Sequence, residues 1–120
     1  MPTRPVPPPD ILPEHFFTRW IPDVVGADPD RSARLGETEA VLEFLLEGEG
    51  GGRFHLRVRD GAVEGYSGPP ARSDLRVHLD VETWRLLNSG TLSAPEAFLR
   101  RRVRLEGNLA LAVKLHLIIG

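Results

Sequence analysis

Apolar and polar residues alternate over several short stretches of the chain. Leu42, Phe44 and Leu46 interleave with Val41, Glu43, Leu45 and Glu47, and Phe54, Leu56 and Val58 with His55, Arg57 and Arg59. Further on, Leu75, Val77 and Leu79 alternate with Arg76, His78 and Asp80, and Val103 and Leu105 with Arg102, Arg104 and Glu106. A period of two places successive side chains on opposite faces of a strand. Gly48 to Gly52 (GEGGG) reads as a hairpin loop between the first two strands. Asp60-Gly61 is a two-residue hairpin signal, so Ala62 to Ser67 is expected to return as a third strand before Gly68-Pro69-Pro70 ends it. The pattern predicts five strands, each apolar on one side and mostly charged on the other.

Helical periods lie on either side of these strands. From Pro13, which suits a first helical turn, Phe16, Phe17, Trp20, Ile21, Val24 and Val25 recur on one broad face, and Pro22 limits or kinks the helix. Ala27 to Leu35 reads as a polar connection. Asp80 is placed to cap a helix over Val81 to Asn88, with Val81, Trp84 and Leu87 on one side and Gly90 as its stop. Ser93 and Glu96 form a capping-box pattern that opens a helix over Pro95 to Arg102. After the strand at Val103 to Glu106, Gly107 and Asn108 introduce a last helix, Leu109 to Ile119, polar only at Lys114 and His116. A helix apolar nearly all round must be buried or must cover something apolar.

A sheet polar on one face keeps that face in water, and its apolar face needs a cover. The predicted architecture is therefore a two-layer α+β domain, a five-stranded, mainly antiparallel sheet covered on one face by helices. It occupies residues 13–120. Residues 1–12 hold five of the eleven prolines and are expected to form an extended, mobile arm.

Composition narrows the function. The chain has 120 residues, a formal net charge of -2, 41% hydrophobic residues and no Cys. This fits one domain, without a disulfide framework or a thiolate nucleophile, and it suits a cytoplasmic location. The start, MPTRPVPPPD, has no apolar signal core, and Ile118-Ile119-Gly120 is not a peroxisomal Ser-Lys-Leu-type address. No apolar run reaches the roughly 18 residues needed to span a bilayer. The near-neutral charge argues against nucleic acid as a partner.

Candidate chemistry is sparse. His15, His55, His78 and His116 lack paired metal-ligand spacing, so no metal is expected, although His55 and His78 would be neighbours if their strands paired. GEGGG lacks the Gly-Lys-Ser/Thr ending of a phosphate loop, and no Gly-x-Ser-x-Gly elbow occurs. No catalytic residue and no cofactor is expected on these grounds. Arg100, Arg101, Arg102 and Arg104 form the basic cluster. It reads as a solvated helix end or as a transient contact to an anionic membrane surface.

The order of these pieces resembles the sterol carrier protein 2 (SCP2-like) lipid-transfer family, as a stand-alone bacterial-type member. The resemblance rests on GGRFHLRVRDGAVEGYSG, on DLRVHLDVETWRLLNSG, and on Gly90, Leu92, Ser93, Glu96, Ala97 and Phe98 followed by Val103 to Leu105, Gly107, Asn108, Leu111 and Ala112. It covers about residues 35 to 119. Asn108 stands where the family usually has Asp, Phe54 where Trp is common, and Arg101-Arg102 where a Gly-Lys pair is usual.

The resemblance implies an apolar tunnel between sheet and helices that holds a fatty acyl chain, a sterol-like molecule or another lipid. The expected walls are Phe44, Phe54, Leu56 and Leu105 from the sheet, and Trp84, Leu87, Leu92, Phe98 and Leu99 from the central helices. Leu109, Val113 and Leu117 complete them from the last helix. The expected function is a non-enzymatic carrier of an apolar small molecule, working as a monomer or weak dimer. A small cyclase, isomerase or hydrolase acting on an apolar intermediate in the same pocket is the alternative. An interaction module built on the apolar last helix is the third reading.

Overall fold

The structure is a computed structural model in which residues 6–118 are described. Met1 to Pro5 of the proline-rich arm, and Ile119 and Gly120 beyond the last helix, lie outside the described residues, as does the side chain of His116.

Five strands form one sheet in the order β3-β2-β1-β4-β5. They are β1 (Ala40–Glu47), β2 (Gly52–Arg59), β3 (Ala62–Ser67), β4 (Leu75–Asp80) and β5 (Arg104–Gly107). β1, β2 and β3 make an antiparallel meander. β4 then lies parallel to the other side of β1, and β5 pairs antiparallel with β4. The β2–β3 turn follows from Asp60-Gly61, whose φ angles of 54° and 73° are those a two-residue hairpin of this twist requires. Residues 68–74 carry the chain from β3 past β2 and β1 to β4. His55 Nδ1 lies 2.8 Å from the Gly68 carbonyl oxygen at the start of this connection, and at its end Asp74 Oδ2 accepts the Val41 N–H at 2.8 Å.

Alternation sorts the sheet into two faces. Leu42, Phe44, Leu46, Leu56 and Val77 are among the buried residues of the helix-covered face. The other face carries Arg53, His55, Arg57, Arg76, His78 and Arg104. At its centre Glu43 is only 1% exposed. It accepts from Arg53 Nη2 at 2.6 Å on β2 and from Arg76 Nε at 3.0 Å on β4. His55 and His78 are not neighbours, since their strands do not pair with each other. His55 is opposite Glu43 and His78 opposite Leu45, because β1 runs between their strands.

The helical layer begins with α1 (Pro13–His15), a π-helical turn (Phe16–Trp20) and α2 (Ile21–Gly26), which follow one another without a break. Pro22 has no N–H for a helix ladder, and its ring crowds the preceding turn. Widening that turn, so that Ile21 N–H bonds to the Phe16 carbonyl, accommodates the proline without breaking the helix. Phe16 and Phe17 both face inward as a result. Phe17 stacks on Phe54 with ring centroids 5.1 Å apart, and Phe16 meets Trp84 edge-on at 5.3 Å.

Residues 29–35, expected as part of a connection, form α3 (Pro29–Leu35). Asp28 caps it by accepting from the N–H groups of Asp30 and Arg31, and Pro29 takes the first helical position. α4 (Val81–Ser89) is capped by Asp80 Oδ1, 2.6 Å from Thr83 N, and stopped by Gly90 at φ 78°. α5 (Ala94–Leu99) is capped by Ser93 and ends short of the expected Arg102, because Arg101 turns left-handed at φ 58°. A 3-10 turn (Leu109–Leu111), capped by Asn108, leads into α6 (Ala112–Ile118). The end of the proline-rich arm is tied to α4, where Arg85 Nη1 donates to the carbonyls of Pro9 and Ile11 at 2.9 and 3.0 Å.

Candidate functional site

The apolar face of the sheet divides into two halves. Over β2 and β3 it is filled by the aromatic N-terminal helix. Gly65 on β3 lets the backbone of the π turn settle against the strand, and Phe54 and Leu56 are sealed beneath it at 6% and 0% exposure. Over β1, β4 and β5 the face opens into a cavity of about 730 Å³. This lies within the roughly 300–1,000 Å³ usual for small-molecule sites.

The floor of the cavity is Phe44 of β1, Val77 and Leu79 of β4 and Leu105 of β5, with Val103 beside it. Trp84, Leu87 and Asn88 of α4 and Leu92 after it form one wall, Pro95 and Phe98 of α5 another. Ala112 and Leu115 of α6 close a third side, and Phe16 and Phe17 separate the cavity from the packed half of the sheet. No lining residue carries a charged side chain. Ser93 lines the cavity, and its hydroxyl is committed to the helix cap, accepting the Glu96 N–H at 3.3 Å. These walls can bind, orient and exclude water. They hold no acid–base pair and no activated nucleophile, and no metal-ligating cluster occurs among the described residues.

Six of the twelve wall residues expected from sequence are brought together here: Phe44, Trp84, Leu87, Leu92, Phe98 and Leu105. The other six lie elsewhere. Phe54 and Leu56 sit under the N-terminal helix, where Phe17 covers them. Leu99 is 80% exposed because α5 ends there. Leu109 and Val113 are exposed, and Leu117 packs against the core rather than the cavity. The last helix is short and two-sided. Leu111, Leu115 and Ile118 share its inward face at the i, i+4, i+7 spacing, and Leu109 and Val113 fall on the other. Lining residues not expected include Val77, Leu79, Asn88, Val103, Ala112 and Leu115. The signal for Asn88 was its position four residues after Trp84, on the same side of an amphipathic helix. Phe16 and Phe17 belonged to the aromatic face that the helical spacing already marked.

The basic cluster is dispersed. Arg100 pairs with Glu96 at 3.0 Å and Arg104 with Glu106 at 3.2 Å. Arg102 turns inward, its Nε donating to the buried Thr83 Oγ1 at 3.0 Å. Arg101 is exposed and makes no ion pair among the described residues.

One half of the apolar sheet face is thus packed under a helix, and the other half lies open beneath short helices around a cavity with no charged lining residue. The SCP-2 sterol transfer family matches residues 21–119, and the chain belongs to it. Among curated proteins it is similar to hydroxysteroid dehydrogenase-like protein 2 of Rattus norvegicus. That likeness is 35% identity over 79 residues, 65% of this chain and 15% of the relative. The chain thus spans about a fifth or less of the curated relatives it matches. Among solved structures, palmitated SCP2L2 from Aedes aegypti superposes with a TM-score of 0.67 at 23% identity, over 88% of this chain and 92% of the other. The stereoselective inverting sec-alkylsulfatase Pisa1 from Pseudomonas sp. superposes with a TM-score of 0.66 at 21% identity, over 92% of this chain and 17% of the enzyme. These likenesses share the fold. No helix among the described residues is long and apolar enough to cross a membrane.

Proposed function

We propose that the protein is a non-enzymatic carrier that holds a lipid or other apolar small molecule in a tunnel between the sheet and the helices. The observation that carries this reading is the cavity of about 730 Å³ whose lining has no charged side chain. Burying a ~12-carbon chain there contributes about 10 kcal/mol gross, at about 0.8 kcal/mol per methylene. Immobilisation takes back roughly 4 kcal/mol or more, which leaves exchangeable, micromolar-range binding suited to a protein that must release its load. An uncharged wall favours binding over turnover, since a cyclase, isomerase or hydrolase would need a proton donor or acceptor at the reacting atom.

Loading and unloading take place at membranes in this reading. Phe98 lines the cavity yet is 56% exposed, and Leu99 beside it is 80% exposed. Arg100 and Arg101 follow directly. Apolar side chains with adjacent cations suit a transient contact with an anionic bilayer surface, to which each basic residue adds about 1 kcal/mol. The carrier works in the cytoplasm, as a monomer or weak dimer.

Native mass spectrometry of freshly purified protein, followed by solvent extraction, tests the proposal. A discrete added mass of lipid size is expected. A bare protein that also ignores a fluorescent acyl probe would overturn the carrier reading and leave the fold intact.

A further inference from the structure

The cavity is walled unevenly. Five of its lining residues are exposed to solvent: Gly90, Ser93, Ala94, Pro95 and Phe98. All five fall in one stretch of the chain, α5 and the turn that leads into it. Every other lining residue is buried or half-buried. This stretch is therefore a roof one layer thick, with the cavity on one side and water on the other. It is bracketed by two left-handed residues, Gly90 at φ 78° and Arg101 at φ 58°. A Cβ at Gly90 would meet no atom within 4 Å, so the turn there has room to move.

Hydrogen bonds tie the two ends of the roof to the body and leave its middle free. At the front, Leu92 N–H donates to the Leu86 carbonyl of α4 at 3.2 Å. At the rear, Arg102 N–H donates to the Ala97 carbonyl at 2.8 Å, and Arg102 Nε is itself fastened to the buried Thr83 hydroxyl oxygen at 3.0 Å. Among the described residues, the other hydrogen bonds of residues 93–101 close within that stretch, as between Glu96 and Ser93 or Arg100 and Glu96. Between its ends the roof is held down by apolar contact, from Leu92 at 5% and Ala97 at 0% exposure. The facing helix is better secured. α6 buries Ile118 to 2% exposure, and Lys114 Nζ donates to the Arg34 carbonyl at 3.4 Å. A short helix held by few apolar contacts between two backbone hinges can open locally while the rest of the fold stays closed. Opening gives up the Ala97 packing and the Arg102–Ala97 bond, and leaves Arg102 fixed to Thr83. Resting on the carrier reading above, we propose that residues 90–101 are the entry lid of the cavity. The lid turns at Gly90 and Arg101 and lifts Ala97 and Phe98 from the mouth, and the ligand enters and leaves beneath α5.

The test uses the full-length protein, whose lack of Cys lets a single introduced thiol report on one position. Ala97→Cys places a thiol at a fully buried position of the lid, and Val58→Cys places one at 1% exposure on β2. N-ethylmaleimide is expected to alkylate the first roughly tenfold or more faster, since local opening reaches Ala97 and global unfolding is needed to reach Val58. The second measurement is stopped-flow mixing with cis-parinaric acid. Ala97 is outside the cavity lining, so Ala97→Gly weakens the closed lid without removing a ligand contact. Association and dissociation rates should then rise together by roughly fivefold, the scale of Gly for Ala in a helix, at unchanged Kd. Ala33→Gly on α3, also outside the lining, should leave both rates parental. A rise in dissociation alone, with weaker binding, would mean damage to the wall and overturns the lid. Two thiols that react equally slowly overturn it as well. Either result leaves the carrier reading standing. A parent protein that binds no parinaric acid overturns the carrier reading, and the lid's role in it falls too.

Discussion

Gly65 of β3 lies directly under the carbonyl group of Phe17. A Cβ built at Gly65 would fall 2.7 Å from the Phe17 carbonyl carbon and 2.9 Å from Thr18 Cα, closer than atoms pack. The contact is between two backbones, so no side-chain rotation can relieve it. It sets how deeply the aromatic helix sits on the sheet, and so how Phe16 and Phe17 bound the cavity. Gly65→Ala should therefore lift the π turn and destabilise the domain by about 2–3 kcal/mol, the scale of overpacking a close contact. Urea unfolding measures it. A midpoint equal to that of the parent would mean that the helix slides at no cost.

Glu43 makes a second prediction, in pH. Burial pushes its pKa up, but hydrogen bonds and charge from Arg53 and Arg76 outweigh this and hold the carboxyl below its ordinary value. A depressed folded-state pKa contributes stability that is present above the ordinary carboxylate value and is lost as pH falls through the folded one. Both arginines are half exposed, which limits the pair to about 1–2 kcal/mol. Glu43→Gln should cost that much at pH 7, and the gap to the parent should close below about pH 4. A gap that persists unchanged at pH 3 would assign Glu43 a packing role instead.

How much of this was legible in sequence depended on whether the signal was local. The strands followed from period-two alternation, and Asp80, Ser93 and Asn108 cap their helices where their side-chain chemistry placed them. The α3 helix was missed although Asp28-Pro29 is a start signal, because its turns carry a single buried apolar residue, Leu35. The cavity was legible only as a set of apolar residues. Alternation says that Phe54 and Phe44 face the same layer. It does not say that a helix fills the β2 side and leaves the β1, β4 and β5 side open, because that depends on Gly65 and the π turn meeting across the fold. The last helix misled for a different reason. Its composition is apolar all round, but the 3-10 turn before it sets the phase, and a short helix presents only one face inward.

Arg101 offers a stabilising change. It is held at φ 58°, in the left-handed region that costs a non-glycine residue roughly 1–2 kcal/mol. The family usually has glycine here, so the turn before β5 is kept while its preferred residue is not. Arg101→Gly should remove the strain and return part of the gain as unfolded-chain entropy, for a net stabilisation of about 0.5–1 kcal/mol. Thermal unfolding would register this as a raised midpoint. A lowered midpoint would mean that the Arg101 side chain makes a contribution larger than the strain.

The division between cavity-facing and outward-facing positions of α6 can be separated by a pair of substitutions. Ala112 lines the cavity, whereas Val113 is 74% exposed. Ala112→Phe places new volume into existing empty space, so it should leave the fold near parental stability while lowering the affinity for an apolar probe by tenfold or more, about 1.4 kcal/mol. Val113→Asp should change neither stability nor cavity binding, since its side chain already meets water. If the membrane contact extends from Phe98 and Leu99 to this helix, Val113→Asp should instead slow transfer from anionic vesicles at unchanged affinity. Probe titration and vesicle-to-vesicle transfer, run side by side, distinguish the two positions. Loss of probe binding in Val113→Asp together with parental binding in Ala112→Phe would reverse the assignment of the two faces.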